Sequence, residues 1–300
     1  MSPILTCLLC HHHCCLADGE IGFCRARQHQ QGRLVSLSYG KLTSLALDPI
    51  EKKPLYHFHP GTHILSAGSF GCNLACPFCQ NHEISQHGRE ATRFVLPPEK
   101  LAALAGKMHK ETGSIGLAFT YNEPLINIEY VLDTFRLIKE TGLATVLVTN
   151  GSLAPARFHD LLPLTDAMNI DLKCFTEKGC RSLSGNLAET KENIVQAVRF
   201  GTHVELTTLI VPGLNDRLLE MRDEAQWIAS LSPEIPLHLT RYFPRYHACR
   251  PETSLSCLAA LSREAKQYRF FVKFWGAKVS MHSWRGHALN TVRVLFRCVC

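Results

Sequence analysis

From about Thr62 onward, short β-like runs alternate with longer runs whose apolar residues recur at helical spacing, and this alternation restricts the fold more than any other feature. Residues 63–69 read as a strand, 97–111 as a helix, 115–119 as a strand and 126–141 as a helix. Strands follow at 144–148 and 167–172, then a helix at 188–200 and a β-branched strand at 203–211 closed by Pro212-Gly213. Asn215-Asp216 starts a helix at 218–231, and a strand at 237–242 and a helix at 254–268 complete the series. Parallel neighbours need a crossover connection, which is right-handed in nearly all cases, so repeated β-then-α units imply an α/β fold with helices outside a parallel sheet. About six units are present, which predicts a partial (β/α)6 barrel rather than a full eightfold one.

In such folds the reactive groups sit at the carboxyl edges of the strands. The notable polar motifs obey that rule: Cys72 follows the first predicted strand, Asn122-Glu123 the second, Thr149-Asn150 the third, and Asp171 and Lys173 lie at the fourth. Residues 1–61 differ, being rich in Cys, His and Gly with a few β-like residues at 34–39. So short a segment lacks the apolar mass to hold itself together and reads as a small metal-stapled module. The predicted organisation is therefore an amino-terminal Cys-rich module (1–61), a core domain (62–275) and an irregular carboxyl-terminal tail (276–300).

The chain has 300 residues, 46% of them apolar, ample for a buried core. No apolar run approaches the roughly 18 residues of a membrane span, and no signal peptide is read at the amino terminus. A net charge of +6 with no Lys or Arg run predicts neither a nucleic-acid nor a membrane partner. Fourteen cysteines are the outlier, with Cys7, Cys10, Cys14, Cys15 and Cys24 clustered first and Cys72, Cys76 and Cys79 next. Cysteines two to four apart are poorly placed to bridge one another but converge readily on a metal centre, which points to a reducing, cytoplasmic setting.

The sequence Gly71-Cys72-Asn73-Leu74-Ala75-Cys76-Pro77-Phe78-Cys79 places C-x3-C-x2-C in the loop after the first strand. An electron-carrying cubane uses four cysteines; three leave one iron of a [4Fe-4S] cluster open for an outside ligand. These residues resemble the radical S-adenosylmethionine (SAM) signature CxxxCxφC, with Phe78 as the aromatic before the last cysteine. The resemblance implies a barrel of the radical SAM type, in which the open iron chelates the amino and carboxylate groups of SAM and an electron enters the sulfonium. Homolysis then gives methionine and a 5′-deoxyadenosyl radical that abstracts a substrate hydrogen. Tyr121-Asn122-Glu123-Pro124 resembles the GGEP-like motif that grips the SAM ammonium, with its glycines replaced. Thr149-Asn150-Gly151 and Asp171-Leu172-Lys173 are similar to segments near SAM in glycyl-radical activating enzymes. Read alone, these would be a helix cap, a turn and a surface ion pair; beside the cysteines the cofactor-binding reading prevails.

A closer resemblance covers nearly the whole chain. Cys7-x2-Cys10-x3-Cys14-x9-Cys24, the Asp48-to-His57 segment, Cys79-Gln80-Asn81, the YNEP motif and Val211-Pro-Gly-Leu-Asn-Asp216 look like the AmmeMemoRadiSam system radical SAM enzyme family, similar to pyruvate formate-lyase activating enzyme. That family implies a Memo-like and an AMMECR-domain protein as partners, and radical SAM chemistry implies an electron donor such as ferredoxin or flavodoxin. Cys7, Cys10, Cys14 and Cys24 can ligate a zinc ion or a second [4Fe-4S] cluster, with His11, His12 and His13 as substitute ligands, while Cys15 is surplus. The chain departs from the family in reading Arg241-Tyr242-Phe243-Pro244 where a histidine is the pattern and in lacking a closing C-x2-C. The match fades beyond about Gln267, as a reading-frame change near the 3′ end would produce.

His57, His59 and His63 read as structural histidines, and Cys174 and Cys180 as small buried hydrophobes. Tyr121 and Arg241, at predicted strand ends, read as candidates to face substrate. The function predicted is an enzyme that cleaves SAM reductively and uses the radical on an unidentified substrate. The competing reading is a metal-binding scaffold or assembly partner on the same fold that has lost catalysis.

Overall fold

The computed structural model describes residues 3–268 and 271–275, so the predicted tail at 276–300 lies outside the described residues. Its centre is an eight-stranded sheet: β1 (Ser44–Pro49), β2 (His63–Gly68), β3 (Gly116–Phe119), β4 (Ala144–Thr149), β5 (Ala167–Asp171), β6 (His203–Ile210), β7 (Leu237–Arg241) and β8 (Val272–Trp275), in sequential order across the sheet. The strands from β2 to β8 are parallel to their neighbours, and β1 joins the edge antiparallel to β2. Strands covered on both faces must be apolar throughout, and β3 is buried at all four residues. Here Gly116 is required, because a Cβ at that position would stand 1.9 Å from the Ala144 carbonyl oxygen on β4.

Five long helices occupy the connections: α1 (Pro98–Thr112), α2 (Ile128–Glu140), α3 (Leu187–Phe200), α4 (Leu218–Leu231) and α5 (Leu255–Lys266). On α2 the buried residues Ile128, Val131, Leu132, Phe135 and Ile138 fall on one stripe, as a helix covering a sheet demands. Fully burying a side chain such as Phe135 contributes about 1.5–3 kcal/mol. The helix ends follow local chemistry: Asn186 accepts from the Glu189 amide at the start of α3, and Ser254 from the Cys257 amide at the start of α5. Among the described residues, no helix is long and apolar enough to cross a membrane.

The sheet is wider than the six-unit count. β8 adds a seventh parallel strand in the segment where the family resemblance fades. β1 comes from the segment read as the amino-terminal module, so the main sheet begins ahead of residue 62. A single six-residue run with a proline and an aspartate carries little β signal, and the pairing with β2 supplies what local propensity does not. The rest of the amino-terminal segment is built of short antiparallel pairs: Leu5–Thr6 with Cys15–Leu16, Arg27–Gln30 with Arg33–Ser36, and Lys41–Leu42 with Phe94–Val95. Its Cys24, Ala26 and Leu37 pack with Phe70 and Ile126 of the core.

Candidate functional site

The loop that leaves β2 carries Cys72, Cys76 and Cys79, and its backbone is held from several sides. The Ala75 amide donates to the Leu183 carbonyl (3.0 Å), Gln86 Nε2 to the Leu74 carbonyl (3.0 Å), and the His247 amide to the Pro77 carbonyl (2.9 Å). Asn122, after β3, accepts from the Ser69 amide (2.9 Å) and donates to the carbonyls of Phe70 (3.2 Å) and Gly71 (3.1 Å). Asn122 thus braces the entry to the cysteine loop, and these contacts account for both ends of its amide.

Glu123 is 2% exposed. Its Oε1 accepts from the Leu125 amide (2.9 Å) and the Thr149 hydroxyl (2.7 Å), and its Oε2 from the Asn150 amide (2.7 Å). The carboxylate therefore caps the turn Pro124–Asn127 and ties the loop after β3 to the end of β4. Burial pushes its pKa up to about 7, with the Asn150, Leu125 and Thr149 donors acting in the opposite direction. Asn150 continues the chain of contacts. Its Nδ2 donates to Asn73 Oδ1 (2.9 Å) and lies 3.8 Å from Cys72 Sγ, while its Oδ1 accepts from the Ser152 amide (2.8 Å).

Asp171 and Lys173, leaving β5, pair at 2.8 Å. Burial works against the Lys173 ammonium, but Asp171 and the sulfurs of Cys76 and Cys79 outweigh it and raise its pKa. A cation thus stands in the field of two cysteines of the loop. Burial also raises the thiols, Cys76 to about 11 and Cys72 well above the ordinary range. Uncharged thiols in a dry site would become thiolates only on giving up their protons to a metal, so any metal loading of this loop would release protons. Asn150, Asp171 and Lys173 line one cavity with Leu74 of the cysteine loop. Every predicted cofactor residue, namely Asn122, Glu123, Thr149, Asn150, Asp171 and Lys173, therefore lies at the carboxyl edge beside the cysteine loop, though Asn122 and Glu123 hold backbone first.

Among the described residues, no three His, Cys, Asp or Glu side chains close on a single metal ion.

Other predictions are redirected. Tyr121, at φ +75°, donates its hydroxyl to Asp48, and the buried Lys53 ammonium lies 4.5 Å from its ring centroid and 2.8 Å from Asp48. Arg241 binds the Thr253 carbonyl (2.7 Å) and Glu252 (2.6 Å), fastening the loop after β7. Cys174 and Cys180, read as small hydrophobes, are joined in a disulfide; their Cα atoms stand 5.6 Å apart, within bridging range. His57 packs edge-on against Phe271 and His59 against Phe58, with no shared ligand geometry. Of the substitute ligands, His11 is engaged by Ser152, Glu189 and the Ser184 carbonyl, whereas His12 and His13 line a cavity with Cys7, Cys10, Cys14 and Cys24. Cys15 is exposed.

Sequence reasoning missed Asn73 and Asn81. Asn73 is fully buried and donates to the Ser152 carbonyl (2.6 Å), while Asn81 donates to the Tyr121 carbonyl (2.7 Å). Asn73 lies between Cys72 and Cys76, where a polar side chain among thiols was itself a signal, and Asn81 stands two residues beyond Cys79, in a motif quoted above for the resemblance alone.

Comparison with known proteins agrees with this geometry. The radical SAM superfamily profile matches residues 68–225. An uncharacterized protein of Methanocaldococcus jannaschii is 37% identical over 245 residues, covering 80% of this chain and 71% of that protein. The pyruvate formate-lyase-activating enzyme of Clostridium pasteurianum is 24% identical over 204 residues, 66% of this chain and 84% of that enzyme. Among solved structures, a radical SAM methyltransferase from Sphaerobacter thermophilus shares the fold, with a TM-score of 0.54, 17% identity and coverage of 73% of this chain and 67% of that one. With the matched region spanning more than half its length and a relative this similar, the chain belongs to the radical SAM superfamily.

Proposed function

We propose that this protein cleaves SAM reductively at a [4Fe-4S] cluster held by Cys72, Cys76 and Cys79, and that the resulting radical abstracts hydrogen from an unidentified substrate. The observation that carries this reading is the three-cysteine loop at the carboxyl edge, tied by Asn122, Asn150 and Glu123 to the loops after β3 and β4. When bound, the cluster and SAM supply one-electron reduction and a carbon-centred radical. The protein supplies position and charge. Glu123 has three donors on a carboxylate that offers about four acceptor sites, and the remaining one would take the ammonium of SAM. Lys173 offsets the negative charge gathered by Cys76, Cys79 and Asp171. Asn150, its side chain fixed by Asn73 and Ser152, holds Cys72 beside that carboxylate. The buried residues of β3 and the four buried residues of β4 beneath would help keep water from the reacting side.

The finer family reading is the AmmeMemoRadiSam system, supported by the motifs at Cys7 to Cys24, Asp48 to His57 and Val211 to Asp216. On that reading the partners are a Memo-like protein, an AMMECR-domain protein and a ferredoxin or flavodoxin electron donor. The test is anaerobic reconstitution with iron and sulfide, dithionite reduction and SAM, with 5′-deoxyadenosine assayed beside a Cys76→Ala variant. Deoxyadenosine from the wild type alone is expected. None from a fully iron-loaded wild type would sink the catalytic reading in favour of a scaffold.

A further inference from the structure

We infer that Cys7, Cys10, Cys14 and Cys24 ligate a second [4Fe-4S] cluster, a one-electron centre docked against the cysteine loop after β2. All four line one cavity and none is in a disulfide, although the structure does pair Cys174 with Cys180. Four thiolates suit either a zinc ion or a cubane, and what separates the two is the need for further acceptors in the cavity, because a cubane adds inorganic sulfides that a single zinc ion does not bring.

Three further observations point the same way. The Phe23 amide donates to Cys14 Sγ (3.5 Å), as the Leu74 amide does to Cys72 Sγ (3.3 Å), and amide-to-sulfur bonds are a lever that tunes cluster potentials. Arg27 lines the cavity at 7% exposure. Its Nη1 pairs with Glu129 at 2.7 Å, but its buried Nε–H has no hydrogen-bond partner among the described residues, and a cluster sulfur would accept it. Four thiolates on one cubane carry net negative charge, which that guanidinium offsets.

Four thiolates leave no iron open, so this cluster does not bind SAM and exchanges only electrons. One electron from a reduced donor of the ferredoxin or flavodoxin class oxidises that donor and reduces the second cluster, with no bond made or broken. The onward route is covalent and hydrogen-bonded. His12 lines the same cavity and donates Nε2–H to the carbonyl of Asn73 (2.8 Å), the residue after Cys72. The Cys24 carbonyl lies so close to Gly71 (φ +84°) that a Cβ there would fall 2.3 Å from its oxygen. The cluster's existence stands apart from the SAM reading; only the electron's destination rests on it.

The test is metal analysis of the full chain, reconstituted anaerobically with iron, sulfide and zinc all supplied. About eight irons per chain and no zinc are expected, four for each cubane. About four irons in the wild type, all of them lost when Cys72, Cys76 and Cys79 are replaced, with or without one zinc, would overturn the inference. A Cys72→Ala/Cys76→Ala/Cys79→Ala variant is expected to keep about four irons and, when reduced, an electron paramagnetic resonance signal unchanged by SAM. Retention of that signal alongside a failure to release deoxyadenosine in the wild type would leave this site standing and remove the catalytic proposal.

Discussion

The two ends of the sheet each bury a glutamate, and the two are treated in opposite ways. At the carboxyl edge, Glu123 is surrounded by neutral donors, and burial raises its pKa to about 7. At the amino edge, Glu205 is fully buried but accepts from His203 (3.0 Å), His238 (2.6 Å) and the amides of Tyr56 (3.0 Å) and His57 (2.8 Å). Burial alone would raise Glu205 too; those partners overcome it and hold the carboxyl down at about 2. The amino-edge site is a hydrogen-bond network on one carboxylate that fixes the 50–60 loop under the sheet. The carboxyl-edge site keeps a carboxylate met by neutral donors alone, which on the proposed function would take the ammonium of SAM.

The sharpest way to break this contrast is Glu205→Gln. Removing the buried charge that these four donors share costs about 3 kcal/mol, to be read by denaturant unfolding. The pH dependence has a definite sign. A depressed pKa means that Glu205 stabilises the fold above its unfolded value of about 4.3, and that this is lost as pH falls toward about 2. Glu123 has the reverse sign: its contribution is present below about 4.3 and lost as pH rises through about 7. Glu123→Gln should flatten that second slope. It should also cost about 1–3 kcal/mol, since an amide cannot accept from all three donors. SAM affinity, measured by equilibrium binding, should rise with pH through about 7 in the wild type and become flat in the variant. Equal pH slopes for both variants would erase the distinction between the two ends. The smallest effect is expected from Lys173→Met. Removing a cation near Cys76 and Cys79 should move the cluster's potential to more negative values in a redox titration, with little change in unfolding.

Much of this was legible in the chain because it depends on periodicity. The helix at 218–231 was read to the residue, and the strands from 63 to 241 within one or two positions, since a sheet covered on both sides leaves continuous apolar runs. The edge strand Ser44–Pro49 was not legible, because an edge strand owes its conformation to its partner rather than to its own residues. The same division runs through the site. The cysteine spacing marked Cys72, Cys76 and Cys79, but nothing local revealed that Asn73 would join Asn150 and Ser152, or that Tyr121 would turn to Asp48 and Lys53. Those partners lie tens of residues away, at separations that no short motif encodes.

The sequence by itself determined the parallel α/β architecture, the placement of the polar motifs at strand ends and the three-thiol loop, because each follows from spacing along the chain. Only the tertiary structure decided that Glu123 would be raised and Glu205 depressed, that Cys174 would meet Cys180, and that Cys7, Cys10, Cys14 and Cys24 would share a cavity beside Gly71 and Asn73. The physical reason is that charge state, thiol pairing and cavity shape depend on desolvation and on neighbours brought together by folding, and neither is a property of a residue in its own segment.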